Sequence, residues 1–216
     1  MRIALLNPNT SQETTKAMVE IAADAAGPVA TIKGFTAQVG APLITEPHAL
    51  SLASKAVASL SPALRDTDAV IVSAFGDPGL DALRDSLAVP VTGIAEAGMA
   101  EAAAWGRFAV VTTTPELAAQ IAATAARHGH SGFMGTWTTP GDPATVMRDP
   151  TALQVALDLA ILQAVAEADV SAVVIGGGPL AAAARALVAT SPVPLIEPIP
   201  AAVRLSFARL GLTCPA

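Results

Sequence analysis

The sequence holds one cysteine, no tyrosine and only 3% aromatic residues in 216 positions. A lone thiol, Cys214, has no partner for an internal disulfide, so the chain does not read as a disulfide-stapled secreted scaffold. Few aromatics and a formal charge of −6 remove both the stacking surfaces and the positive footprint that nucleic-acid binders need. Charged residues are 14% of the chain against 52% apolar, which supplies a real core and excludes disorder. Long apolar runs are missing as well. The first stops after Leu6 at Asn7 and Pro8. A signal-peptide core needs roughly 7–15 apolar residues, and a membrane span about 20. The expected setting is cytoplasmic, with no membrane and no nucleic-acid partner.

What is present alternates in two patterns. Short Val- and Ile-rich runs end at Gly, Pro, Asn or Thr: Arg2–Leu6, Ala69–Ser73, Pro90–Ile94, Phe108–Val111, Ala172–Ile175 and Val193–Ile196. Continuous apolar runs of this length suit strands of a parallel sheet buried on both faces. Between them lie stretches of helical length, Thr10–Ala26, His48–Ser59, Pro78–Leu87, Pro115–His128, Pro150–Ala168 and Leu180–Ala189, several with Pro at the start. Strand and helix in alternation imply an α/β fold.

The chain also repeats itself. Arg2–Ser11 aligns with Arg107–Glu116 at an offset of 105, and Ala69–Gly76 aligns with the run from Ala172 at 103. Pro90-Val91 recurs as Pro192-Val193 at 102. Three junctions in one order imply two pseudo-symmetric Rossmann-like halves with parallel sheets flanked by helices. The expected halves are residues 1–97 with a returning segment of about 197–216, and residues 98–196. Ligands of open parallel sheets sit beyond the carboxyl ends of the strands, so the paired junctions should line a cleft between the halves.

The junctions Asn7-Pro-Asn-Thr-Ser11, Phe75-Gly-Asp-Pro-Gly-Leu80, Pro90-Val-Thr-Gly-Ile-Ala-Glu-Ala97 and Arg107-Phe-Ala-Val-Val-Thr-Thr-Thr114 resemble the aspartate/glutamate/hydantoin racemase superfamily, most closely its hydantoin racemase branch. The resemblance runs from the first strand through Ile196-Glu-Pro-Ile-Pro-Ala-Ala-Val203. It implies two α/β halves around one site, no cofactor, a small-molecule substrate and homo-oligomeric assembly. It also implies a pair of cysteines, one per half, that remove and return a proton on opposite faces of a carbon next to a carbonyl. The first slot, just before Phe75, holds Ala74. The second, in the glycine-rich turn, falls at Gly177, with Gly178 beside it. Neither slot has sulfur, so the expected activity is racemase or isomerase in kind but not by the two-thiol route. The alternatives are a lyase, decarboxylase or hydrolase on the same scaffold, or a metabolite-binding protein without turnover.

The ligand cradle is expected at Asn7, Asn9, Thr10 and Ser11, mirrored by Thr112, Thr113 and Thr114, where hydroxyls, amides and N–H groups meet at helix starts. Ala74, Phe75, Gly177 and Gly178 should border the substrate at the emptied slots. Candidate acid/base groups are Asp77, Glu96 and Glu197, the last one position out of register with Glu96 in the repeat. Asp77 also suits a cap for a helix starting at Pro78. His128 and His130 stand at a helix end, where imidazolium is favoured. No Lys-Ser/Thr follows Gly176-Gly177-Gly178, so no phosphate loop forms. Metal motifs and a nucleophile elbow are absent too, and no metal is expected.

Overall fold

The chain folds as two four-stranded parallel sheets with helices between and outside them. The computed structural model describes residues 1–214. The first half runs β1 (Arg2–Asn7), α1 (Gln12–Ala26), β2 (Thr31–Thr36), α2 (Pro47–Ser59), β3 (Ala69–Val72), α3 (Leu80–Ser86), β4 (Val91–Gly93) and α4 (Ile94–Ala103). The second runs β5 (Phe108–Thr112), α5 (Ala118–Arg127), β6 (Phe133–Thr138), α6 (Pro143–Val146), α7 (Pro150–Ala168), β7 (Ala172–Ile175), α8 (Ala181–Leu187), β8 (Leu195–Ile196) and α9 (Pro198–Arg209). The strand orders, β2-β1-β3-β4 and β6-β5-β7-β8, are the same.

Strand periodicity assigns side chains to layers. Ile3, Leu5, Ala69 and Ile71 point inward, as do Phe108, Val110, Ala172 and Val174 of the other sheet, and all join one core with Met18 of α1 and Phe207 of α9. Ala4, Leu6, Val70 and Val72 point outward onto Val57 of α2 and Leu83 of α3. Ala109, Val111, Val173 and Ile175 do the same onto Leu157 of α7 and Leu187 of α8. Between their polar ends the central strands are therefore apolar on both faces.

The hydrogen bonds carry the duplication down to single residues. Ser73 N donates to Leu6 O (2.8 Å) and Gly176 N to Val111 O (2.7 Å), while Ala37 N donates to Asn7 O and Thr139 N to Thr112 O (both 3.0 Å). Asn7 and Thr112 are thus equivalent, as are Ala74 and Gly177. At the fourth strands the sequence alignment needs correcting. Val70 N donates to Pro90 O (2.9 Å) and Val173 N to Pro194 O (3.0 Å), so the partner of Pro90 is Pro194 rather than Pro192. The same register places Glu197 opposite Gly93, three positions from the equivalent of Glu96.

The chain crosses between halves on α4 and α9. Helix α4 packs on α9 and β4 and also on β7 and β8, and α9 returns against α1, β3 and β4. The boundaries drawn at 97 and 197 fall on these connecting helices. Of the returning segment, residues 215–216 lie outside the described residues.

Strands β2 and β6 did not stand out in the sequence because they are edges that leave their residues open to solvent, whereas the opposite edges, β4 and β8, keep Val91 and Ile196 buried. The β2 and β6 residues, Thr-Ile-Lys-Gly-Phe-Thr and Phe-Met-Gly-Thr-Trp-Thr, are half-buried or exposed and carry glycine. Helix α7 has the expected bounds, Pro150–Ala168. An 18-residue window of it reaches a mean hydropathy of 1.3, so by length and composition it could cross a membrane. It buries Leu153, Leu157 and Ile161 against its own half yet leaves Val155, Leu159 and Leu162 exposed.

Candidate functional site

The carboxyl ends of β1, β3, β5 and β7 open into one cleft between the halves, about 600 Å³ counting space continuous with solvent. Ala74 and Gly177 both line it, with Ser73 and Phe75 from the first half and Thr112, Thr113, Gly176 and Gly178 from the second. This volume suits a small molecule. No Asp, Glu, His, Lys, Arg or Cys is among its lining residues.

Its polar groups sort by what their hydrogen atoms already do. Asn7 is fully buried; its Nδ2 donates to Asn9 Oδ1 (2.7 Å), Ser11 O (3.0 Å) and Thr15 Oγ1 (2.9 Å), and its Oδ1 accepts from Asn9 N (3.1 Å). Asn7 is consumed as a brace and does not line the cleft. Asn9 does line it: its Oδ1 also accepts from Ser11 N (2.9 Å), leaving Nδ2 as a free donor. Ser11 caps α1, accepting from Thr14 N (3.1 Å), and Thr10 N donates to Ala41 O (3.1 Å); neither residue reaches the cleft. Thr112 Oγ1 donates to Gly176 O (2.8 Å) and lies 3.0 Å from Thr114 Oγ1, so the Thr114 hydroxyl donates to Thr112 and presents lone pairs. Thr113 Oγ1 meets only the weak acceptor Met147 Sδ (3.7 Å). Among the described residues, the N–H groups of Ala74, Phe75 and Thr113 meet no protein acceptor. The cleft thus offers neutral donors from both halves. Leu117, Ile121 and Leu180 contribute an apolar wall.

Of the three glycines after β7, Gly177 is the least obstructed. A Cβ at Gly176 would stand 2.7 Å from Val110 Cγ1, and one at Gly178 2.6 Å from Met18 Sδ. At Gly177 the nearest atoms are Leu180 Cδ1 and Cγ, 3.1 and 3.2 Å away, and φ is 169°, which is ordinary extended backbone.

The three carboxylates are outside the cleft. Glu96 sits at the third position of α4, where Arg84 Nη2 (2.7 Å) and Arg209 Nη2 (2.6 Å) grip it and Gly93 N donates to it (3.3 Å). Burial would raise its carboxyl, but Arg209, then Arg84 and the Gly93 N–H, outweigh burial and hold it below the ordinary range. Glu197 precedes α9 and accepts from Arg185 Nε (2.9 Å). Asp77 is buried, with a left-handed φ of 50°. It does not cap a helix at Pro78, since α3 begins at Leu80 behind Gly79. Its Oδ1 accepts from Ala95 N (2.8 Å) and its Oδ2 from Glu96 N (2.7 Å), the second and third residues of α4. These are the N–H groups an N-cap side chain serves, and the N-cap here, Gly93, has none. A Cβ at Gly93 would collide with the Asp77 carboxylate.

The histidines also differ from expectation. Burial pushes both His128 and His130 below the usual imidazole range, so packing outweighs the helix-end field, and neither Nε2 finds a partner. Among the described residues no three of His, Cys, Asp or Glu converge as metal ligands would. The lining residues that sequence reasoning missed, Leu43, Ile44 and Met147, follow the unrecognised edge strands β2 and β6, so nothing marked their loops as facing the cleft. Thr14 and Met18, one helical turn apart on α1, were legible only as a helix face.

Comparison with known proteins agrees with this architecture. The Asp/Glu/Hydantoin racemase family model matches residues 3–206. A hydantoin racemase from Paenarthrobacter aurescens is 26% identical over 98% of this chain and 92% of its own. The structure of allantoin racemase from Klebsiella pneumoniae has a TM-score of 0.90 and 30% identity, covering 100% of this chain and 90% of that one. Allantoin racemase from Pseudomonas fluorescens gives 0.91 and 28%, covering 100% and 94%. With nearly its whole length matched, the chain belongs to the Asp/Glu/hydantoin racemase family.

Proposed function

We propose that this chain is a cofactor-independent enzyme acting at the carbon next to a carboxylate or cyclic ureide carbonyl of a small amino-acid-like or hydantoin-like substrate, and that it works without a thiol pair. The observation that carries this reading is that Ala74 and Gly177 border one cleft whose neutral donors remain in place. Asn9 Nδ2, the Thr113 hydroxyl and the N–H groups of Ala74 and Phe75 would receive the substrate oxygens. Charge growing on those oxygens as an enolate forms would meet donors already oriented for it. The apolar wall would take the substituent on the reacting carbon.

With no ionisable side chain among the described residues that line the cleft, a proton leaving carbon would pass to water admitted with the substrate, and water on the other face would return one. The same observation favours a second reading, loss of CO₂. There the electrons of the breaking C–C bond flow to the carbonyl oxygen, CO₂ departs, and water admitted with the substrate protonates the enolate carbon, so no base is required. In this account Asp77, Glu96 and Glu197 are not the catalytic acid/base set. Asn7, Thr10, Ser11 and Thr112 hold the binding loops in place.

The hydantoin and allantoin racemases it resembles name the substrates to try first. Incubated in D₂O with 5-substituted hydantoins, allantoin and substituted malonates, the protein is expected to exchange, invert or decarboxylate at least one, followed by NMR and circular dichroism. Saturable binding across the whole panel with no turnover would establish a metabolite-binding protein instead.

Cytoplasmic residence and homo-oligomeric assembly belong to the same reading. Ala152, Val155, Leu159, Leu162 and Ala166 form an exposed row at alternating spacings of three and four on α7, the spacing of a helix-pairing seam. Leu159→Glu is expected to lower the mass seen by light scattering; an unchanged mass would leave α7 out of any assembly.

A further inference from the structure

The two halves start equivalent helices by different means. Helix α9 opens Pro198-Ile199-Pro200, and its first and third residues have no N–H to satisfy. Helix α4 opens Ile94-Ala95-Glu96 behind a glycine and takes its cap from Asp77, on the loop after β3. The position equivalent to Asp77 in the second half is Leu180. The fold therefore does not require a buried acid at this junction, and Asp77 sits there in a left-handed conformation that Asp adopts more readily than most residues with a Cβ. Phe75 and Ala74, two and three residues before it, line the cleft, and Asp77 N closes the turn on Ala74 O (3.0 Å).

We propose that Asp77 is a positioning residue whose carboxylate ties the Ala74–Phe75 wall of the cleft to the start of α4, so that ligand binding depends on its protonation. Ionised, Asp77 serves both N–H groups with one oxygen each. Protonated, it keeps a good acceptor for only one, and the loop loses one of its two ties.

The charged groups around it act in both directions. Burial pushes the Asp77 carboxyl from 3.8 up to about 7, against the Ala95 and Glu96 N–H groups that favour the anion. Among charges, Glu96 on α4 adds to the rise and Arg127 at the end of α5 opposes it. Arg84 of α3 and Arg209 of α9 stand behind Glu96 and neutralise it, and Asp81 of α3 pairs with Arg127 (3.4 Å). His128, next to Arg127, is the neighbouring group that titrates at lower pH.

The test has one arm that needs no ligand and one that rests on the proposed use of the cleft. In the first, amide NMR spectra of the full chain are followed from pH 5 to 9 with the Asp77 carboxyl carbon. Ala95, Glu96, Ala74 and Phe75 are expected to share its single midpoint near 7. All four transitions should vanish in Asp77→Asn. Asn suits the left-handed backbone and keeps one acceptor oxygen, and the dispersion of its amide spectrum checks its fold before the transitions are compared. Movement confined to Ala95 and Glu96 would make Asp77 a helix cap and nothing more, and no midpoint in this range would also overturn the proposal. In the second arm, affinity for 5-benzylhydantoin is measured at pH 8 and pH 6. A fall of about tenfold is expected for the wild type and none for Asp77→Asn, since only the ionised fraction is competent. Equal wild-type affinities would refute the coupling to ligand. A failure of hydantoin to bind at either pH would count against the proposed function while leaving the first arm to decide the role of Asp77.

Discussion

Introducing Ala74→Cys together with Gly177→Cys is expected to give the protein thiol-dependent racemization of a hydantoin. Both positions line the same cleft, and equivalent hydrogen bonds place them at the same point of the two halves. Ala74 already carries a Cβ. At Gly177 the backbone is extended and the nearest obstacle is the end of the flexible Leu180 side chain, so a thiol fits with a small shift. Proton transfer by a positioned side chain contributes about 10²- to 10⁴-fold, so deuterium uptake at the substrate carbon should rise by about two orders of magnitude or more over wild type. Each single variant should gain far less, because inversion needs a donor on the face opposite the base, and the two effects should not add. Iodoacetamide should abolish the new rate and leave any wild-type turnover intact, because Cys214 lies against Ala25 and not in the cleft. Gly178→Cys is the control: its Cβ would press on Met18 Sδ, and it should lose stability without gaining exchange. A folded double variant that binds hydantoin yet exchanges no faster than wild type would mean that the cleft does not hold a chiral carbon between residues 74 and 177.

This experiment depends on a correspondence that could be read before any coordinates. Strands β1, β3, β5 and β7 are legible because each is apolar on both faces, and their ends carry the repeated junctions. The edge strands β2 and β6 are not, because one side meets solvent and their residues follow no buried pattern. Losing β2 and β6 hid the loops that bring Leu43, Ile44 and Met147 to the cleft. Candidate carboxylates were harder still. Glu96 and Asp77 share the features expected of catalytic acids, burial and nearness to strand ends, and only the direction of their hydrogen bonds shows what they hold. Asp77 serves a helix 18 residues further on, and Glu96 is met by an arginine 113 positions away. Pairings across such separations follow from how α4, α3 and α9 pack and leave no local trace. Asn7 illustrates the same limit: its place at the end of β1 was readable, but not that three neighbours occupy its amide.

Glu96→Gln should unfold far more easily than wild type while keeping its affinity for any ligand of the cleft. The Glu96 side chain is only 11% exposed and Arg84 and Arg209 are 32% and 28% exposed, so the neutral amide would leave two partly buried guanidinium groups facing each other without an anion. Arg209 also donates to Val91 O (2.8 Å) and Thr92 Oγ1 (2.9 Å), so the pair joins α9 to β4 and α4, the elements on which the chain crosses between halves. Removing one partner of a buried ion pair costs about 3–5 kcal/mol, and in a chain of this size that lowers Tm by roughly 10 °C or more. The pH dependence has a definite sign. The folded pKa of Glu96 lies below its unfolded value, so its contribution is complete above that value, 4.5, and disappears as the pH falls through the folded one. Asp77 has the opposite sign: its raised pKa makes stability decline as the pH climbs from 3.8 to about 7. Urea midpoints between pH 3 and 8 separate the two, because Glu96→Gln should flatten the acid limb below 4.5 and only shrink the decline above it, burial being the larger cause of the Asp77 rise. If Glu96→Gln instead unfolds within 1 kcal/mol of wild type and abolishes turnover, the carboxylate is the proton carrier after all, and the cleft must extend to α4 when substrate is bound.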